Sequence, residues 1–497
     1  MQEKITKKEL WALAGLMFLG FLVRVLFLGA EGIVSTDEAY FIQAGLNIAS
    51  GKLYPAFGEA NAGQPLFPFI LSLGLGLGKD PVLTSRLISI FLSVLTLVPI
   101  HFCVRSFASK EEAVWSDLVF ILAPFAVRYS ILAMTHSLFN LMLVLTFLFI
   151  LGAKNSKRLT WGVLAGLASS AVYLTRVEGL AFVLFVGLGT LFLEGLGLRF
   201  FAIWFLSLTL FSFPFWLWLR KVHGVWQLIW MEGSGALSEF SHHWSHYSKG
   251  TSAVYFYLRE LSKTYYLLLP RIFPVLVWIV LGVGAAKIFS VKKSERPPAI
   301  LVLLFASFPI FFYPLFGIDP RYLSPTGIFF SMFAGVGLQN FCEKGKNVKW
   351  IRGFCLLILV LNFLPGYGQV LGANRDAPLE HQQAGEWIRD HVSGPQVITA
   401  SDKLSCFYAG KKCERFVWLG LQMDRLRRGE RFEDILKQEG ANLIVADTRY
   451  MANWTEFQFL FKGPPAWLTR LAEFGEGKEK ILIYRFSPDE SMRRAPA

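Results

Sequence analysis

Apolar runs close to the thickness of a bilayer recur along the whole chain, and they constrain the fold before any single residue does. Eleven can be placed, at about 10–29, 82–104, 112–128, 136–152, 159–175, 179–196, 199–218, 265–287, 298–316, 323–341 and 351–366. A membrane-spanning helix needs roughly 20 consecutive apolar residues. Of the 497 residues, 54% are hydrophobic and only 17% are charged, whereas soluble domains carry about 25% charged residues. The sequence therefore predicts a polytopic α-helical membrane protein of about eleven transmembrane helices.

The net charge of +13 does not point to nucleic acid, because the basic residues gather in short gaps between apolar runs. Arg105 and Lys110 fill one gap, and Lys154, Lys157 and Arg158 the next. Arg199 follows, then Lys287, Lys292, Lys293 and Arg296, then Lys344, Lys346, Lys349 and Arg352. That is the pattern of the positive-inside rule. It places the N-terminus in the cytoplasm and, with an odd number of spans, the tail outside. The first run follows Lys4, Lys7 and Lys8, as in a cleaved signal, but it is long and no small-x-small site follows it cleanly, so it reads as an uncleaved helix. The expected location is the inner (plasma) membrane.

Three pieces then lie on the outer side: a loop at about 30–81, a loop at about 219–263 rich in His, Trp and Tyr, and the tail 367–497. Two domains follow, a membrane domain over 1–366 and a soluble extracytoplasmic one over 367–497. The tail mixes amphipathic stretches (379–392, 432–438) with short apolar extended ones (396–400, 443–446, 481–484), the signature of a small α/β unit. Within the first loop, Pro65–Leu71 is too short and too close to Gly74, Gly76 and Gly78 for a span, and is expected to lie as a helix in the interface. Cys406 and Cys413 are close together in the tail and can pair in an oxidising compartment; the alternative is two separate small core residues.

Two adjacent carboxylates, Asp37 and Glu38, fall at the outer rim about eight residues past the first span. They either cap the next helix, with Ser35 and Thr36 as neighbours, or supply a base that accepts a proton from a hydroxyl. The apolar positions Tyr40, Phe41, Ile42, Ala44 and Ile48 have helical spacing, so a helix here would rest on the membrane. Basic residues on the outer side are not explained by topology. Lys79, Arg86, Arg128, Arg176 and Arg321 fall near outer ends of spans. Arg176 either pairs with Glu178 or snorkels, or it grips phosphate at the headgroup level, where guanidinium binds bidentately. His242, His243 and His246 invite a zinc reading, but no cysteine or well-placed acid completes a ligand set. Asn453-Trp454-Thr455 matches a glycosylation acceptor only weakly. No P-loop, no GxGxxG after a strand and no Ser–His–acid arrangement stands out, so nucleotide-driven chemistry is not expected. No metal ligand set and no certain cofactor is assigned, and a divalent metal is left open.

Taken in order, several stretches resemble the GT-C membrane glycosyltransferases, nearest to the protein O-mannosyltransferase and lipid A aminoarabinose transferase branch. Thr36-Asp37-Glu38-Ala39-Tyr40 is similar to the family signature after the first span. Gln64-Pro65-Leu66-Phe67-Pro68 and Ser85-Arg86-Leu87-Ile88-Ser89 resemble the next two motifs, and Leu174–Gly179 and Pro320–Pro325 two more. Ala384–Ile388 and Phe407–Gly410 are similar to parts of the C-terminal domain. The resemblance implies an inverting transfer of a sugar from a polyprenyl-phosphate carrier to an acceptor hydroxyl, on a lipid, glycan or protein of the envelope. It implies Asp37, beside Glu38, as the base. Lys79 and Arg321 are then the first candidates for the donor phosphate, followed by Arg176 and Arg128, with Tyr322 beside them. Tyr40, His136 and Glu178 are candidates for sugar or acceptor contact. Where many relatives carry a second acid, this chain has His136, which either bonds the acceptor or sugar or fills a polar niche. The competing expectation is a flippase that moves lipid-linked sugars without chemistry; the scarcity of acids inside the spans argues against it.

Overall fold

A computed structural model describes residues 5–30, 32, 34–52, 64–156, 158–191, 196–223, 253–263, 275–290, 302, 305–311, 323–343, 348–372, 379–451, 454–476 and 479–487. The chain divides into two compact units. One comprises 1–31, 63–67 and 83–373; the other comprises 32–62, 68–82 and 374–497. The first outer loop, placed with the membrane domain by the sequence, is thus largely grouped with the C-terminal tail.

The first unit is helical. Its elements begin with α1 (Lys7–Phe27) and, after the excursion of the outer loop through α2 (Thr36–Ala49) and α3 (Leu66–Leu75), continue with α4 (Pro81–Leu95), α5 (Leu97–Arg105), α6 (Lys110–Leu122), α7 (Pro124–Ser130), α8 (His136–Ser156), α9 (Thr160–Thr175), α10 (Gly179–Leu191) and α11 (Gly197–His223). Helices Val275–Ser290, Ser324–Glu343 and Val348–Gly372 follow. Among the described residues five helical stretches are long and apolar enough to cross a membrane: Lys7–Phe27, Pro81–Arg105, His136–Ser156, Gly197–Lys221 and Trp350–Gly368. The chain is a polytopic helical membrane protein. The third apolar run is not one straight span as the sequence suggests. It breaks between α6 and α7 with a bend of 59°. Pro124 opens α7 and drives Ala123 out of the helical region, to φ −70° and ψ 120°, because a residue before proline avoids the α conformation.

Large apolar side chains such as Trp11, Leu26, Leu210 and Leu361 are exposed, as lipid-facing positions require. Helix association in lipid depends on close packing and interhelical hydrogen bonds rather than on water exclusion. Gly166 of α9 sits directly against the backbone of α11, where a Cβ would lie 2.5 Å from the Trp204 carbonyl oxygen. Trp204 Nε1 donates to Ser169 Oγ at 2.9 Å in the same seam. Likewise Ser116 Oγ of α6 donates to the Met332 carbonyl at 2.9 Å, and Trp115 Nε1 donates to Gln339 Oε1 at 3.0 Å.

One network of buried charge joins three helices of this unit. His101 of α5 faces Asp117 of α6 through Nδ1 at 2.7 Å and Glu9 of α1 through Nε2 at 3.3 Å, and Arg105 pairs with the same Glu9 at 3.0 Å. Three helices are tied by two acids and two bases.

The second unit is built on a five-stranded sheet: β1 (Gln396–Ala400), β2 (Cys413–Trp418), β3 (Leu443–Asp447), β4 (Leu468–Glu476) and β5 (Glu479–Phe486), in the order β2-β1-β3-β5-β4. The first three strands are parallel, and β5 and β4 are antiparallel additions at one edge. In β3 and β5 the side chains alternate strictly. Leu443, Val445, Ile481 and Ile483 enter one core with Ile388 and Ile398. Ile444, Ala446, Leu482 and Tyr484 enter the other with Leu436 and Phe457. A central strand buried on both faces reads as a continuous apolar run, which is why Leu443–Ala446 is legible. The expected α/β tail is therefore present. The last long helix runs to Gly372, beyond the boundary at 366 that the sequence suggests.

Helix α2 belongs to this second unit. Ala39, Ile42 and Ala44 are fully buried; Ala44 joins the core containing Ala384 and Ile388, and Tyr40 packs on it. Gly45 lies against Pro68, Leu71 and Leu75 of α3. The apolar spacing that suggests a membrane-surface helix here serves packing against protein.

Candidate active site

The acidic pair is resolved into two different roles by one local motif. Ser35 is the N-cap of α2: its hydroxyl accepts from the Glu38 amide at 3.3 Å, and Glu38 Oε2 accepts from the Ser35 amide at 3.0 Å. This is a reciprocal capping box. Glu38 is fully buried within it. The capping alternative weighed for this pair is what the geometry shows at Glu38. Asp37, one residue earlier, is half-buried in the first turn.

That first turn is also held from the C-terminal part of the unit. Thr36 Oγ1 donates to Asp402 Oδ2 at 2.7 Å, the Val34 amide donates to Tyr408 Oη at 3.2 Å, and Lys403 Nζ lies 4.8 Å from the centre of the Tyr40 ring. Sequence reasoning missed Asp402 and Lys403. It met Tyr408 only as part of a family-like stretch. These residues lie more than 360 positions from α2, and nothing local signals the contact. Cys406 and Cys413 form a disulfide with a Cα–Cα separation of 5.4 Å, within the usual span. Lys79 is exposed beyond α3 in the same unit.

In the membrane unit, Arg176 is the C-cap of α9. Its guanidinium donates to Glu178 Oε1 at 2.9 Å and to Thr135 Oγ1 at 3.0 Å, and lies 3.3 Å from His136 Nε2. The ion-pair alternative for Arg176 is thus what the structure holds. Because arginine only donates, His136 Nε2 accepts, and the proton of a neutral ring sits on Nδ1. His136 is buried and stacks on Tyr129 at 4.8 Å. Arg128 sits with its guanidinium 5.9 Å from the Tyr129 ring centre. Its buried Nε has no hydrogen-bond partner among the described residues. Tyr129, His136, Ser93, Thr96 and Asn140, with Phe120 and Phe125, line a small cavity of about 10 Å³, room for one water. Arg24 of α1, not singled out from the sequence, is fully buried nearby in the fold: its Nε donates to Ser93 Oγ at 3.1 Å and its guanidinium lies 5.4 Å from the Phe120 ring centre.

Arg321 and Tyr322 lie outside the described residues, as do His242, His243, His246 and Asn453. Among the described residues no group of three or more His, Cys, Asp or Glu is arranged to hold a metal ion.

No protein-family model and no curated protein matches the chain. Solved structures do match. The crystal structure of ArnT from Cupriavidus metallidurans bound to undecaprenyl phosphate is 13% identical, covers 95% of this chain and 97% of its own, and has a TM-score of 0.60. The archaeal oligosaccharyltransferase AglB from Archaeoglobus fulgidus, in complex with an inhibitory peptide and a dolichol-phosphate, is 12% identical over 96% of this chain and 74% of its own, with a TM-score of 0.61. The chain shares the fold of these proteins, the GT-C fold that its motifs resemble.

Proposed function

We propose that the protein transfers a sugar from a polyprenyl-phosphate-linked donor to a hydroxyl of an envelope acceptor, on the outer face of the membrane and with inversion. The observation that carries the reading is the fold shared over 95% of the chain with a protein that binds undecaprenyl phosphate. Asp37 takes the proton of the acceptor hydroxyl. The oxygen attacks the anomeric carbon, the anomeric C–O bond breaks, and the polyprenyl phosphate leaves as a stable anion. Cationic groups aimed at a leaving phosphate stabilise charge as it develops. Lys79, Arg128, Arg176 and Arg321, with Tyr322, are the groups assigned to the phosphate, and Tyr40, His136 and Glu178 to the sugar or acceptor. The Cys406–Cys413 bridge supports an extracytoplasmic C-terminal unit, since disulfides persist in oxidising compartments.

Purified full-length protein in detergent, given an envelope extract and a panel of synthetic undecaprenyl-phosphate monosaccharides, is expected to release undecaprenyl phosphate from one of them. Asp37→Asn should abolish release without loss of folded protein; turnover retained in that variant excludes Asp37 as the base. Running the assay with a chelator decides the metal requirement. In reconstituted vesicles, transbilayer movement of the labelled donor with no release would favour a flippase.

A further inference from the structure

The segment from Asp402 to Tyr408 is anchored at three points within its own unit. Asp402 Oδ1 accepts from the Leu404 amide at 2.7 Å and so satisfies the first amide of the short helix Leu404–Ala409. Ser405 Oγ lies 2.8 Å from His381 Nδ1, and His381 Nε2 lies 2.9 Å from Asp447 Oδ2, which fastens that helix to β3. Cys406 is bridged to Cys413 at the start of β2. Asp402 and Tyr408 then project their remaining polar groups to the start of α2, on Thr36 and the Val34 amide. Those two bonds flank Ser35, the cap residue, and precede Asp37 by one and three positions.

A carboxylate on a free helix end frays with the end. Here the cap residue is flanked by two hydrogen bonds to a segment that is itself held by a buried side-chain chain and a covalent bridge. We propose that Asp402 and Tyr408 are positioning residues, which fix the first turn of α2 and with it the direction of the Asp37 carboxylate. The inference rests on the reading of Asp37 as the base. Small misplacements of a reacting group are costly, about 10²-fold for an ångström.

The test uses the full chain in detergent with Thr36→Val, Thr36→Ser and Tyr408→Phe. Thr36→Val removes the donor to Asp402, Thr36→Ser keeps it, and Tyr408→Phe removes the acceptor for Val34. Two readouts are taken: hydrogen exchange of the amides at 34–40, and release of undecaprenyl phosphate split into kcat and donor KM. Expected for Thr36→Val is exchange faster by roughly tenfold at 34–40 and unchanged in β3, with kcat lower by roughly tenfold at unchanged donor KM. Thr36→Ser should restore both to near wild type. Tyr408→Phe should move both the same way, and it decides the matter if Thr36→Val does not fold. Unchanged exchange at 34–40, or a kcat that falls equally in Thr36→Ser, overturns the inference. Asp37→Asn keeps the two readings apart. If it is silent while Thr36→Val is slow only in donor KM, both fall; if it abolishes release and Thr36→Val keeps full kcat, the positioning role alone falls.

Discussion

His381 Nε2 lies 2.9 Å from Asp447 Oδ2, and both side chains are almost wholly buried. A carboxylate only accepts, so Nε2 donates and Nδ1 of a neutral ring accepts from Ser405 Oγ, 2.8 Å away. The order of residues resembles a nucleophilic relay. Yet Ser405 is fully buried, and no substrate reaches a hydroxyl in that position. The chain is a structural fastening between the helix Leu379–His391, the helix Leu404–Ala409 and β3. His381→Phe leaves Asp447 Oδ2 without its buried partner, although Arg449 still meets Oδ1, and leaving a buried polar group unsatisfied costs about 1–3 kcal/mol. The variant should unfold the C-terminal unit at distinctly lower urea, followed as loss of amide protection in β3, whereas His381→Gln, which still offers a donor and an acceptor, should lose less than half as much. Equal losses in the two variants would show that ring packing, not the bonds, is what matters.

Asp447 also fixes a pH dependence. Burial pushes its carboxyl up, but the hydrogen bond from His381, together with the Arg449 amide at 2.7 Å and the Arg449 charge, outweighs burial and holds it below its ordinary value of 3.8. A carboxyl lowered in the folded state adds stability that is fully present above the unfolded value, about 3.9, and is lost as pH falls through the folded one. The unit should therefore keep constant resistance from neutral pH down to about pH 4 on this account and weaken below it. Pepsin cleavage of the full chain, sampled between about pH 5 and about pH 2, reads this directly. Asp447→Asn should be weaker at the upper end and show a shallower fall; an identical slope in the two proteins would assign the acid sensitivity elsewhere.

The network around His101 makes a further stability prediction. Both ring nitrogens of His101 face carboxylates, Asp117 and Glu9, so a ring donating at both positions is positively charged. With Arg105 the four groups balance. His101→Phe leaves two buried acids with one base, and the expected cost is about 3–5 kcal/mol. Recovery of monodisperse protein after heating in detergent should fall steeply for His101→Phe. It should return substantially in the triple variant Glu9→Gln, His101→Phe, Asp117→Asn, in which no charge is stranded. A triple variant no better than the single one would mean that the imidazole is needed for its shape.

Some of this was open to sequence reasoning and some was not, for physical reasons. The apolar runs coincide with helices wherever the structure describes them, because bilayer length and hydropathy are local properties. The central strand Leu443–Asp447 was legible for its unbroken apolar run. β2 and β4 were not, since Cys413–Trp418 and Leu468–Glu476 mix charges with apolar residues at a partly exposed edge. The role of Glu38 was also within reach. Ser35-x-x-Glu38 is the spacing of a capping box, and Pro124 marks the break in the third run. The bonds from Thr36 to Asp402 and from His381 to Asp447 join residues 366 and 66 positions apart, and no local pattern encodes them.

Arg176 and Glu178 carry the last prediction, because they decide between two readings of the same cation. Their side chains are 14% and 22% exposed, so the pair is screened less than a surface one but is not sealed from a ligand. A phosphate that binds Arg176 must compete with the Glu178 carboxylate, and like charge would repel it. Glu178→Gln keeps the hydrogen-bonding shape and removes the charge. If Arg176 grips the donor phosphate, this variant should bind undecaprenyl phosphate several-fold more tightly, and Arg176→Ala should bind it roughly 10- to 100-fold more weakly, the worth of a hydrogen bond to a charged group at about 1.5–3 kcal/mol. Titration of the purified variants with undecaprenyl phosphate, followed by native mass spectrometry, measures both. If Arg176→Ala binds the lipid as wild type does and only its unfolding temperature falls, Arg176 is a clip. It would then fasten the end of α9 to Thr135 and His136 at the start of α8, and the phosphate must be met by other cations.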